Sequence, residues 1–166
     1  WSVASGDGAF ACGYQAKATN TKSVALGNEN EAQGAYSYAM GSKSIASGTY
    51  STAMGKDCSS SGVASFACGE NCLASVGYAV AMGKNCSATG VASFACGENC
   101  IASDDYSVAL GHENRASGGQ SVAMGYDCSA SNTSSIAMGY ESTAAGEVAF
   151  AAGFNCLATE DYSVAM

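Results

Sequence analysis

Nine cysteines are the residues of this chain best suited to chemistry, and six of them keep a fixed spacing. Cys58, Cys72, Cys86 and Cys100 lie fourteen residues apart, and Cys128 and Cys156 continue the series, interrupted by Asn114 and Ser142. Thiols repeated in this way can pair as disulfides, hold zinc, or act as small apolar filler. The series lacks the paired short spacings of structural zinc sites, so no metal is assigned. Two further pairs, Cys68 with Cys72 and Cys96 with Cys100, flank a Gly-Glu-Asn corner and are the candidate disulfides. The rest of the column, including Cys58 and Cys86, reads as reduced interior filler beside alanine. Free thiols in such number fit assembly in a reducing compartment.

The other reactive groups form no constellation. Glu113, Asp127 and Glu141 also lie fourteen apart, and Asp104-Asp105 and Glu160-Asp161 are adjacent pairs. Stacked carboxylates could hold calcium, but solvated corner charge is the plainer account, and the Gly-Gly-x-Gly-x-Asp calcium repeat is absent. His112, the only histidine, has Glu113 beside it and no nucleophile at a distinctive spacing. No catalytic or cofactor-binding residue is therefore assigned, and the chain reads as a non-enzyme. Tyr14, Tyr126, Tyr140 and Phe154 share one register position and could stack on a sugar or a protein partner, although scattered exposed rings need no special reason.

Behind these spacings lies a repeat. Glycine recurs every fourteen residues from Gly13 through Gly153, with alanine two residues before each. A short strict period means a stack of coils, since one unit cannot bury its own apolar face. With the recurrent glycine as position 14, one repeat runs from Tyr14 to Gly27. Position 7 is glycine or asparagine in most repeats, types that tolerate positive φ in tight turns. Two turn signals seven residues apart leave segments of about five residues, right for strands. The expected fold is an all-β solenoid of about twelve coils, with residues 1–166 a single repeat domain cut from something longer.

Facing follows from a compensation. Phe10, Phe66, Phe94 and Phe150 at position 11 are paired with Cys12, Cys68, Cys96 and Ala152 at position 13, whereas the other repeats carry Leu or Met at 13 with a smaller or less apolar group at position 11, apart from Tyr38. Close packing conserves volume, so positions 9, 11 and 13 are expected inside the coil. Alternation then turns positions 10 and 12 outward. That places an uncharged Ser/Ala strip on the surface, carrying Ala25, Ala39, Ala53, Ala67, Ala81, Ala95, Ala109, Ala123, Ala137 and Ala151, and a partner is expected on it.

Composition removes several functions. Acidic residues exceed basic ones by eight, so no basic stripe exists to neutralise phosphates and nucleic acid is not a partner. No apolar run approaches the roughly twenty residues of a membrane-spanning helix, so this segment is not expected in a membrane.

Ser23-Val24-Ala25-Leu26-Gly27, Ser107-Val108-Ala109-Leu110-Gly111, Ser121-Val122-Ala123-Met124-Gly125 and Ser135-Ile136-Ala137-Met138-Gly139 resemble the Ser-Val-Ala-Ile-Gly repeat of the YadA-like head of trimeric autotransporter adhesins. The resemblance spans essentially the whole chain. It implies a left-handed parallel β-roll, three chains packed side by side into a parallel homotrimer on the bacterial surface, and the small Ser/Ala face at or near the trimer contact. Position 13 departs from the family in never being isoleucine, and nine cysteines are unusual for such heads. The repeat also resembles segments of phage and viral fibres.

Three functions follow as expectations. The first is a surface adhesin attaching to a host matrix protein, cell-surface receptor or glycan by many weak contacts. The second is a receptor-binding segment of a phage or virus fibre. The third is an ice-binding solenoid that uses the flat Ser/Ala face.

Overall fold

The computed structural model describes residues 1–166, and all its regular structure is β. Each repeat forms one coil with a five-residue strand over positions 11 to 1, such as Phe66–Glu70, and a two-residue strand over positions 4 and 5, such as Leu73–Ala74. The coils fall into two compact units, Trp1–Lys84 and Asn85–Met166. In the first, the long strands from Phe10–Tyr14 to Val80–Lys84 make one parallel sheet, and the short strands from Val3–Ala4 to Leu73–Ala74 make another. The second unit repeats the plan, with long strands from Phe94–Glu98 to Val164–Ala165 and short strands from Ser87–Ala88 to Leu157–Ala158. Every pairing joins a residue to the one fourteen further on, as in Ala67↔Ala81 and Ala109↔Ala123.

The space between the two sheets is narrow, and that decides which side chains enter it. Alanines at positions 5 and 12 and serines at position 10 are buried, and the largest fully buried side chains are Asn30, Asn114 and five cysteines. No leucine, isoleucine, methionine or aromatic ring lies in the core. Most serines at position 10 close the turn by donating to the carbonyl three residues back, as Ser93 does to Gly90 at 2.7 Å, whereas the Ser51 and Ser121 hydroxyls make no such bond. Position 3 bridges coils from inside. The Asn114 Nδ2 donates to the Leu110 and Gly125 carbonyls at 2.6 Å each, while its Oδ1 accepts the Cys128 N–H at 2.8 Å.

These facts reverse the facing read from the sequence. Ala25, Ala39, Ala53, Ala67, Ala81, Ala95, Ala109, Ala123, Ala137 and Ala151 are each 0% exposed within a single chain, so their methyl groups cannot meet a partner. Positions 9, 11 and 13 point outward instead. Alternation along the strand holds, but its phase is set by what fits between two close sheets, and only small groups do. The flat Ser/Ala face proposed for ice is interior for the same reason.

The turn chemistry is displaced as well. Positive φ falls at positions 2 and 9, still seven apart, rather than at position 7. Glycine at position 7 answers to close approach: a Cβ on Gly62 would lie 1.9 Å from the Val76 carbonyl oxygen. The recurrent glycine has φ of +111 to +136°, a region that side chains avoid. The second strand is two residues long, not five, because these corners consume the rest of the coil.

Candidate functional site: the outer face of the long strands

The outward side chains of the long strands make an apolar face in each unit. In the first unit Phe66 lies between Thr52 and Val80 on the flanking strands, and Cys68 between Met54 and Met82. In the second, Phe94 lies beside Val108 and Cys96 beside Leu110, while Phe150 and Ala152 lie beside Ile136 and Met138. A large ring on one row is thus met by a small group on the next row and branched or smaller groups on neighbouring coils. Phe66, Val80, Phe94, Val108 and Leu110 are half-buried, and Met82 and Met138 exposed.

Position 1 borders this face, and its column changes character between the units. In the first, Lys56 Nζ pairs with Glu70 Oε1 at 2.7 Å, which holds the Glu70 carboxyl below its usual range and the Lys56 ammonium above its own. In the second, His112, Tyr126, Tyr140 and Phe154 form one stack, with centroids 4.8, 4.9 and 5.2 Å apart and planes within 7° of parallel. The nearby Glu141 carboxylate pushes the Tyr140 phenol upward. Three of these were singled out from the sequence as rings that could stack on a sugar. The faces of Tyr126 and Tyr140 are taken by their neighbours in the stack, so these two offer only edges and hydroxyls outward, while Phe154 at the end of the stack keeps one face open. His112 was missed as a member of the stack, although its spacing to Tyr126 carries the signal.

The thiols divide by face. Cys58, Cys72, Cys86, Cys100 and Cys128 are buried, Cys68, Cys96 and Cys156 half-buried, and Cys12 exposed; none is in a disulfide. The expected corner disulfides do not form, because position 13 sends Cys68 and Cys96 outward while position 3 sends Cys72 and Cys100 inward. Four of the interior sulfurs instead face a carbonyl of the recurrent glycine, Cys58 and Cys72 at 3.3 Å, Cys86 and Cys100 at 3.2 Å, and Cys128 faces the Tyr126 carbonyl at 3.5 Å. A hydrogen bond from Cys72 brings the Cys58 thiol down to about 7, and the bond with Cys86 together with burial pushes Cys100 upward. Carbonyl oxygens aimed at these sulfurs suit S–H donors. Neither the thiols nor the carboxylates gather three or more metal-ligating groups. The structure encloses no pocket, and its outward side chains are what the molecule offers a partner.

The model of the YadA head domain repeat, two copies to a match, fits residues 4–30, 32–57, 88–114, 102–127 and 130–155. These segments cover well over half of the chain. The chain belongs to the YadA head domain repeat family. No curated protein matches it. The matched segments lie in both compact units, so each is built of YadA-head coils. No helix in this YadA-head chain is long and apolar enough to cross a membrane.

Proposed function

We propose that this YadA-head segment is part of a bacterial surface adhesin in which three parallel copies pack through the outer faces of their long strands. One observation carries the reading: volume is conserved on a face that would otherwise meet water. Solvent fills any surface relief without cost, so Phe at position 11 has no reason to be matched by Cys or Ala at position 13 unless a second solid surface lies against both. An apolar face running through successive coils also exceeds what a solvated monomer ordinarily exposes. A second copy of the chain is the occupant this repetition suits, because equal repeats meet equal repeats. The corners and short strands then remain outside to engage a matrix protein, receptor or glycan, each contact weak and the sum strong.

Light scattering on the whole chain tests this. The expected mass is that of three chains, falling to one in the double variant Val108→Glu, Leu110→Glu with β circular dichroism retained. Ala109→Glu should instead destroy the fold, because a buried unpaired carboxylate costs several kcal/mol. A wild-type mass of one chain would end the trimer reading. A receptor-binding segment of a virus fibre is favoured by one observation, nine cysteines with no disulfide among them, which suit assembly inside a reducing cell.

A further inference from the structure

The corner at position 9 is where the chain departs furthest from ordinary backbone preference. Every residue there has positive φ, and at the matching corner, position 2, the chain uses Asn, Asp, Glu, Gln and Lys. Position 9 instead carries tyrosine five times: Tyr36 at φ +57°, Tyr50 at +60°, Tyr78 at +62°, Tyr106 at +59° and Tyr162 at +60°. A bulky ring in this region is a true outlier, and such outliers cluster at ligand clamps. Internal packing does not account for them, since Tyr50 is 59% and Tyr78 64% exposed.

Within the first unit three of these rings line up. Tyr36 and Tyr50, on successive coils, stack with centroids 5.2 Å apart and planes 23° from parallel, and Lys22 Nζ sits 5.3 Å from the Tyr36 ring. Tyr50 is thereby braced from behind with its faces turned along the column. The next coil carries Ala64, and Tyr78 follows one coil later. Backbone bonds hold this column in step: Ala64 N–H donates to the Thr49 carbonyl and Tyr78 N–H to that of Val63, both at 2.9 Å. Two coil steps put the backbones of Tyr50 and Tyr78 roughly 9.6 Å apart, with Ala64 at the same corner of the coil between them.

We propose that Tyr50, Ala64 and Tyr78 form a slot for one neutral pyranose ring of a glycan. Carbon–carbon contacts on both sides take about 7–8 Å of that gap. A flat aromatic guest would leave the rest empty, whereas the pucker and axial hydrogens of a chair-form sugar fill it. The C–H faces of the sugar lie on the two π faces, and its hydroxyls point past the ring edges toward water and the tyrosine phenols. The net charge of −8 disfavours sulfated or carboxylated sugars. The slot deepens the attachment reading without needing the three-chain packing, because all its residues belong to one chain.

Saturation-transfer NMR on the whole chain tests the slot, with the methyl β-glycosides of glucose, galactose, mannose and N-acetylglucosamine as separate millimolar probes. Saturation of the ring C–H protons of at least one probe is expected. Tyr78→Ala should weaken it roughly tenfold, and Tyr106→Ala, in the other unit, should leave it unchanged. Ala64→Tyr should abolish it by completing the Tyr50 stack, at a corner that already accepts tyrosine. No transfer to any of the four glycosides, or transfer that survives Ala64→Tyr, overturns the slot. Scattering mass on the same samples separates the two ideas: a three-chain mass without transfer removes the slot alone, and a one-chain mass with transfer removes the trimer alone.

Discussion

At the residue scale, the core works with hydrogen bonds more than with hydrocarbon. Asn114 satisfies two carbonyls and one amide on three strands' worth of backbone. Asn114→Ala should therefore cost roughly 2–4 kcal/mol in urea unfolding, because buried backbone groups lose their partners. Asn114→Ser, which copies Ser44 and Ser142, should cost less than half of that; equal losses would mean that volume rather than bonding sets the penalty. The thiols give a second check. Alkylation of the folded chain should spare Cys58, Cys72, Cys86, Cys100 and Cys128, and alkylation after unfolding without reductant should label all nine. Fewer labels on the unfolded chain would reveal bridges that the face assignment forbids.

At the element scale, the two-residue strands Lys17–Ala18 and Glu31–Ala32 are tied by outward side chains as well as by their ladder. Lys17 Nζ meets Glu31 Oε1 at 2.7 Å across neighbouring short strands, with Gln33 adding a 2.6 Å bond to the same carboxylate. The Lys17 ammonium holds the Glu31 carboxyl below its usual range, against a smaller opposing push from burial. A carboxyl lowered in the folded state stabilises it above the unfolded value, about 4.3, and loses that contribution as pH falls through the folded value. Lys17→Ala should thus lower stability by about 0.5 kcal/mol at pH 7 and by nothing measurable at pH 2. A loss of the same size at both pH values would assign the effect to the lysine stem instead of its charge.

At the scale of the whole molecule, the YadA-head repeat separates stability from assembly. Coils are held by alanine, serine, asparagine and cysteine inside, while the large apolar groups lie outside on the long-strand face. Cys96→Met beside Phe94 should therefore leave the unfolding of the dispersed chain nearly unchanged and weaken assembly by about 1–3 kcal/mol. Adding Phe94→Val should restore much of it, since the pair then copies Val122 with Met124. Simple additivity of the two changes in assembly strength would show that these side chains do not share one contact surface.

The period of fourteen was legible from the recurrent glycine alone, and with it the number of coils, because each coil demands the same residue at the same level, while the family and the parallel roll it implies were legible in motifs such as Ser23-Val24-Ala25-Leu26-Gly27. The compensation between Phe94 and Cys96 was legible too, as was the interior place of Cys58 and Cys86. Which side of the strand faces in was not, since alternation from Ser93 through Cys96 has two phases and volume matching is required by any solid neighbour, internal or external. Only the distance between the two sheets chose the phase, admitting Ala95 and excluding Phe94. The tyrosine slot was hidden for a related reason: left-handed φ at Tyr50 and Tyr78 contradicts what tyrosine prefers, and only closure of the coil imposes it.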